Sequence, residues 1–221
     1  MPIEDTFPKP LVMVDTALFT ILNEQLCLIL ARRKEPPFPD VLALPGGFVH
    51  IQADADAEDA ARRVIRDKIG FDAPYLEQLY TFSGSHRDPR GWSVSIAYYA
   101  LVPALLLDRS QVAETFPADT LPALPFDHDR IVAKAVERLR SKATYSSLPA
   151  FLLPEVFTLN DLHCIYQQTQ GIQLDKASFR HKIMEQDIIE AIPGQFRTGA
   201  HRPAQLYRLT SRALTPFERK I

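Results

Sequence analysis

Cysteine is scarce in this chain, and no metal-binding pattern compensates for it. The two cysteines among 221 residues, Cys27 and Cys164, sit far apart in apolar stretches without ligand spacing. They read as buried free thiols of a reducing compartment, which argues against a disulfide framework or a metal site. No apolar run approaches the roughly 18 residues of a membrane-spanning helix. The opening segment MPIEDTFPKP lacks a basic stretch followed by an apolar one. A cytoplasmic protein without membrane partners is the expectation. Internal repeats, low-complexity tracts and a large charge excess are also missing, with a formal net charge of −2.

What is present suits one medium domain plus a small one, with 46% hydrophobic residues to build their cores. The charge is unevenly spread. Residues 157–221 hold 9 Lys+Arg against 6 Asp+Glu, a net of +3, whereas residues 1–156 hold 16 against 21, a net of −5. A basic C-terminal segment on an acidic body points to a polyanionic partner for that segment.

Two apolar stretches, LVMVDTALFTIL (11–22) and QLCLILARR (25–33), are joined at Asn23-Glu24 and predict a β-hairpin. After the loop KEPPFPD come a short strand and the pair Gly46-Gly47. Residues 54–69 lack proline and glycine, and Ala57, Ala60, Ala61, Val64, Ile65 and Ile69 recur at helical spacing, with Gly70 as the stop. Strands are expected around 76–82 and 92–102, separated by SGSHRDPRG, then a proline-rich linkage and an amphipathic helix over 127–142. The stretch SSLPAFLLPEVFT (146–158) marks a boundary near residue 150. Beyond it, helices over 159–169 and 175–186 precede two short strands flanking TGAHRPA, the pattern of a winged helix-turn-helix.

The segment LPGGFVHIQADADAEDAARRVIRDKIGF (44–71) resembles the Nudix box, G-x5-E-x7-R-E-U-x-E-E-x-G-U, with U a bulky aliphatic residue. In that family, helix glutamates hold Mg²⁺ or Mn²⁺ against a diphosphate. Arg63, Ile65 and Gly70 match. The helix glutamates fall on Val64, Asp67 and Lys68, and the upstream one falls on Ala55 beside Asp54 and Asp56. One short carboxylate and a lysine do not make a cage for a hard dication. No metal site and no hydrolase activity are therefore expected.

Further segments extend the resemblance over most of the chain. EQLYTFSGSHRDPRGWSVSIAYYALVP (77–103), FDHDRIVAKAVERLRSK (126–142), FTLNDLHCIYQQTQGIQLDKASFRHKI (157–183) and GAHRPAQLYRL (199–209) are similar to the Nudix-related transcriptional regulators of NAD metabolism, the NrtR family. The resemblance implies an α+β chain: a Nudix-like α/β/α sandwich over 1–150 for ligand sensing and dimerisation, then a winged helix-turn-helix over 151–221. It further implies a homodimeric repressor on double-stranded operator DNA, nucleoid-associated when bound, released by ADP-ribose or a related nucleotide. No cofactor is implied. Targets in such families are genes of NAD metabolism or of sugar catabolism. Two rival readings stay open: an active Nudix pyrophosphatase, and a DNA-binding protein whose Nudix domain serves only to dimerise.

Candidate ligand residues are Arg32 and Arg33 at a strand end, Gly46 and Gly47 for close backbone approach, and Arg63, Lys68, Arg87 and Arg90. Arginine suits a diphosphate because its planar fork donates parallel hydrogen bonds. For Arg63 a structural role, orienting neighbouring acids, is the alternative. Phe48, Phe82 and Trp92 are expected to pack as core rather than to stack on a base. In LDKASFRHKIMEQDII, Leu174, Phe179, Ile183 and Ile188 are the apolar side. Lys176, Ser178, Arg180 and Lys182 are left for DNA, with Arg180 the guanine reader and the lysines on phosphates. His181 is taken as ordinary surface. In the wing, Arg197, His201 and Arg202 are the DNA candidates, and Arg208 is structural.

Overall fold

Strand β1 (Leu11–Leu22) runs through the centre of a seven-stranded sheet and takes its neighbours from far along the chain. The computed structural model describes residues 9–198 and 203–221. On one side β1 is parallel to β6 (Ser93–Leu101), with β5 (Tyr75–Gly84) antiparallel beyond it. On the other side the two halves of β1 part company. The first half pairs with β4 (Gly46–Phe48) and the second with β2 (Gln25–Arg32). β2 in turn carries β3 (Leu42–Ala43) and β7 (Ala113–Pro117). The β1–β2 turn stands on Asn23 and Glu24, both with positive φ (48° and 57°). That is the mirror-image turn whose twist matches a right-handed hairpin.

Alternation explains why the central strands read as unbroken apolar runs. Ala17, Phe19, Leu28, Leu30, Ala97, Tyr99 and Leu101 enter one core, against Ile131, Val132, Ala135 and Leu139 of helix α2 (His128–Ala143). Val14, Leu18, Ile29, Tyr98 and Ala100 face the opposite way, against Ala60, Ala61, Val64, Ile65 and Ile69 of helix α1 (Ala57–Ile69). Both faces of the sheet are covered, so most positions are apolar, with Asp15, Thr16, Thr20, Ser93 and Ser95 as the buried polar exceptions. This is the α/β/α sandwich that the resemblance implies.

Helix α1 starts three residues later than the sequence suggests. Asp56 is its N-cap and accepts from the Asp59 N–H, and Gly70 ends the helix at φ 95°. Strand β7 was not foreseen. Its residues are all half-buried and carry two polar side chains, and its pairing with β2 supplies what its pattern lacks.

The second unit begins with a 3-10 turn, Leu148–Leu152, in which all five residues are buried. β8 (Phe157–Thr158), α3 (Leu159–Gln170), α4 (Lys176–Met184), β9 (Ile189–Arg197) and β10 (Ala204–Leu209) follow, with sheet order β8-β10-β9. Thr158 and Asp161 cap α3 reciprocally, and Gly171 (φ 71°) turns the chain toward α4. The helix expected over 175–186 ends at Met184.

The apolar core runs through the expected boundary at 150. One cluster joins Leu139 of α2 to Phe151, Phe157, Tyr166, Phe179, Ile183, Tyr207 and Phe217. The Tyr166 hydroxyl donates to the Ser146 carbonyl at 2.9 Å, and the Gln170 amide donates to the Ala143 carbonyl at 3.1 Å. The final residues strap the junction, with the Phe217 N–H donating to the Tyr145 carbonyl at 2.7 Å.

Candidate functional site

The single charged residue of β1, Asp15, organises the cleft. Its carboxylate accepts from the Ser95 hydroxyl at 2.6 Å and lies 3.5 Å from the Arg87 guanidinium and 3.4 Å from His128 Nε2. His128 Nδ1 accepts the Leu44 N–H at 3.2 Å, so Nε2 is the nitrogen that faces Asp15 with a proton. Arg87 donates twice to Asp127, at 2.8 and 3.1 Å, and once to the Ser93 hydroxyl at 3.2 Å. Burial works against the charge on Asp15, but His128, Ser95 and Arg87 outweigh it and hold the carboxyl below its ordinary value. A Cβ on Gly46 would lie 2.0 Å from Asp15 Oδ1. Only glycine fits there, and the close approach that the sequence assigned to a ligand serves this carboxylate.

Above the network lies an inner cavity of about 170 Å³, which opens on an outer groove of about 750 Å³. The cavity falls below the roughly 300 Å³ at which pockets for whole organic ligands begin, and the groove does not. Both are lined by Arg33, Gly46, Gly47, Phe48 and Lys68. Arg33 donates to the carbonyls of Pro37 (2.9 Å) and Glu35 (3.1 Å), and its guanidinium lies 4.9 Å from the Phe126 ring centre. Arg90 lies over Phe48 (4.8 Å) and against Phe126 (5.8 Å) and is paired with Asp88 at 2.7 Å. Burial lowers the affinity of Arg33 for its proton, and the neighbouring charge of Arg90 lowers it further. Lys68 is exposed and has no hydrogen bond or ion pair among the described residues.

Four of the expected ligand arginines are committed to protein partners, Arg90 to Asp88 and three more. Arg87 lines the inner cavity, but its donors are spent on Asp127, Asp15 and Ser93. Arg32 lines the outer groove and pairs with Glu114 (2.9 Å) and the Asp40 carbonyl (2.7 Å). Arg63 clamps Asp54 with bonds of 2.7 and 2.8 Å and donates to the Phe48 carbonyl at 2.9 Å. That clamp holds the Asp54 carboxyl well below its usual range and closes the loop ahead of α1. The structural alternative for Arg63 is the one its geometry fits. The core expectation holds for Phe82 but not for Phe48 and Trp92, which are 38% and 51% exposed. Phe48 sits instead at the mouth of the cavity.

The residues at the Nudix-box positions do not fit a divalent metal. Val64 is buried behind Gly47, Asp54 is taken by Arg63, Asp67 points to solvent 3.7 Å from Arg63, and Lys68 brings a cation. Among the described residues no group of three or more His, Cys, Asp or Glu is placed to hold a metal ion.

In the second unit α4 buries Phe179 and Ile183, with Leu174 half-buried beside them and Ile188 buried just beyond. Its outward side carries Ser178, Arg180 and His181, while Lys182 is half-buried at the flank. Arg180 and Lys182 make no hydrogen bond or ion pair among the described residues. Lys176 donates to Asn160 Oδ1 at 3.3 Å, which ties the start of α4 to α3, and His181 lies 3.3 Å from Glu185. Arg197 is not a free wing cation. It pairs with Asp161 at 2.8 Å, because β9 returns past the capping carboxylate of α3. Arg208 bridges to Glu190 of β9 at 2.6 Å, the structural role expected for it. His201 and Arg202 lie outside the described residues. Of the thiols, Cys27 is buried, Cys164 is half-buried, and both are free.

Sequence reasoning missed Asp15, Phe126, Asp127 and His128. One signal was available: an acid inside LVMVDTALF must find buried partners or give up its charge. Nothing local announced the other three.

Family models for the NUDIX domain and for the NrtR DNA-binding winged helix domain match residues 13–138 and 149–209. An ADPR-responsive transcriptional repressor, NtrR, from Acinetobacter baylyi is 38% identical over 91% of this chain and 83% of its own length. An ADP-ribose pyrophosphatase from Methanocaldococcus jannaschii is 35% identical over 51% of this chain and 67% of its own. Shewanella oneidensis NrtR, solved with a 27mer DNA, superposes with a TM-score of 0.85 at 34% identity, covering 95% of this chain and 99% of that one. Its Nudix domain, solved with ADP ribose, matches 60% of this chain and 90% of that one with a TM-score of 0.54 at 36% identity. Sandwich, winged helix and chain-length similarity agree: the protein belongs to the NrtR family of Nudix-related transcriptional regulators.

Proposed function

We propose that this chain is a transcriptional repressor that grips operator DNA through α4 and the wing and lets go when an ADP-ribose-type nucleotide fills the Nudix cleft. The observation that carries the reading is a pairing of sites in one continuous core. An outward helix with unpaired Arg180 and Lys182 sits at one end, and a cation-lined cleft of nucleotide size sits at the other. The repressor, DNA complex and ADP-ribose complex among its relatives support the same assignment. The chain acts as a homodimer in the cytoplasm, on half-sites about one helical turn or a multiple of it apart, and its targets are genes of NAD metabolism. It is not a hydrolase, since the acids that would hold a metal are replaced or spent.

A gel shift on the DNA upstream of the protein's own gene tests the reading, with ADP-ribose added in a second series. The expected result is a retarded complex that ADP-ribose dissolves. DNA that stays free, or a complex indifferent to ADP-ribose, overturns it. The enzyme reading is favoured only by the likeness to the pyrophosphatase. Turnover of ADP-ribose with Mg²⁺ or Mn²⁺ in the ordinary enzyme range, about 1–1,000 per second, would reinstate it. Light scattering of the free protein and of its DNA complex reports the dimer.

A further inference from the structure

We infer that Lys68 and Arg33 hold the diphosphate of a nucleoside-diphosphate sugar directly, as fixed cations, so that capture of the ligand needs no divalent metal. The inference rests on the functional reading above and concerns how the same cleft binds.

The first observation is where the two cations lie. The inner cavity is too small for a whole nucleotide sugar, and the outer groove begins where it ends. Five residues line both spaces, and they form the neck between them: Arg33, Gly46, Gly47, Phe48 and Lys68. A nucleoside-diphosphate sugar carries its negative charge at its middle, with an uncharged group at either end. Threaded from groove to cavity, it brings its charge to the neck.

The second observation is that these two cations lack anionic partners. The hydrogen bonds of Arg33 go to two uncharged carbonyls, and Lys68 has no hydrogen bond or ion pair among the described residues. Of the other cations of the cleft, Arg87 is neutralised by Asp127 and Asp15, Arg90 by Asp88, Arg63 by Asp54 and Arg32 by Glu114, while Lys34 lines the outer groove but not the inner cavity. Glu35 also lines the cavity, and Asp15 lies beneath it but is already taken. The repulsion of Arg33 by Arg90 supports the same picture, because positive charge is crowded at this point. An anion at the neck relieves it.

The third observation is chemical. In a metal-dependent cleft a dication screens helix carboxylates from the diphosphate. Here that helix presents Lys68 instead, and neither Val64 nor Asp67 is available for a cage. A lysine ammonium supplies positive charge and three donors without needing carboxylates around it.

Titration calorimetry of the full chain with ADP-ribose, in excess EDTA and in excess Mg²⁺, tests the inference. Wild type should bind equally in both. Lys68→Glu should weaken binding by about 30-fold or more and Lys68→Gln by about tenfold, as loss or reversal of a close charge requires. Arg66→Glu is the control for net charge. It lies on the same helix but is paired with Asp72 at 3.1 Å outside the cleft, and should change affinity less than about threefold by screening alone. Unliganded Lys68→Glu should keep its thermal midpoint and its operator affinity, which separates lost binding from lost folding. Strict dependence on Mg²⁺, wild-type affinity in Lys68→Glu, or an equal loss in Arg66→Glu overturns the inference and leaves the repressor reading standing. Wild type that ignores ADP-ribose in both buffers, yet still binds the operator, removes the effector of that reading and this inference with it.

Discussion

The cleft and helix α4 both carry arginine, yet they hold it in opposite ways. In the cleft Arg87 is 5% exposed and bonded to Asp127, Asp15 and Ser93, partners 40, 72 and 6 residues away. On α4 Arg180 is exposed and bonded to nothing among the described residues. A buried charge needs a complete set of partners, because each unmet bond costs free energy in a low dielectric. An exposed charge is hydrated and kept for a partner that arrives later. The first is a structural commitment and the second a stored capacity.

The largest expected effect comes from breaking the committed set. Arg87→Met keeps most of the volume and leaves the carboxylates of Asp15 and Asp127 buried without their cation. Urea unfolding should show a loss of about 3–5 kcal/mol. Adding Asp127→Asn should recover part of it. A loss below about 0.5 kcal/mol, the range of ordinary surface changes, would falsify the claim that this network holds the cleft together.

Acid should attack the same region next. Asp15, Asp54, Glu77 and Asp88 all have carboxyl groups held below their ordinary values in the fold. For Glu77 burial opposes the shift, and Lys142 (2.6 Å) and Tyr75 outweigh it. For Asp88 burial again opposes, and Arg90 outweighs it. A carboxyl with a depressed folded value adds stability above its unfolded value and loses that contribution as pH falls through the folded one. Stability should therefore be level from neutral pH down to about pH 5 and drop steeply below about pH 4. All four acids lie in the N-terminal sandwich, as does the single tryptophan, Trp92, whose fluorescence follows the loss. A flat profile down to pH 3, below every ordinary carboxyl value (~4), contradicts the assignment.

The smallest effects on folding, and the most selective ones on function, belong to α4. Arg180→Ala should cost about 1–3 kcal/mol of operator binding and relax base preference at one position of each half-site. Lys182→Ala should weaken specific and random DNA alike and reduce the salt slope by about one. Both should stay within about 0.5 kcal/mol of wild type in unfolding. Filter binding across a salt series separates them, and equal loss on random DNA in Arg180→Ala would make that residue a phosphate contact.

Much of the framework was legible residue by residue. Asn23-Glu24 fixed the hairpin, the alanine and isoleucine spacing fixed α1, and Thr158 with Asp161 opened α3 where the pattern put it. Helix α4 was legible too, because its buried pair Phe179 and Ile183 and its cations alternate within nine residues. The cleft was legible only as a set of cations near a glycine pair. Which cations are spent and which are free was not, since the partners come from β1, from the loop before β6 and from the head of α2. The helix start at Ala57 rather than 54 has the same origin: Asp54 is claimed by Arg63 and by the His50 N–H at 2.7 Å.

By itself, then, the sequence determined the periodic parts: two-faced strands, helices with caps, the basic α4, and a Nudix helix with Val64, Asp67 and Lys68 where a metal cage belongs. These follow from interactions within a few residues, which spacing records directly. Only the tertiary structure decided that Arg87 is a buried tie between Asp15 and Asp127, that Gly46 makes room for Asp15, and that Arg33 and Lys68 line both the cavity and the groove. Those outcomes depend on desolvation and on pairings across 40 to 80 residues of chain. A charge shows its environment only once the fold has chosen which groups lose their water.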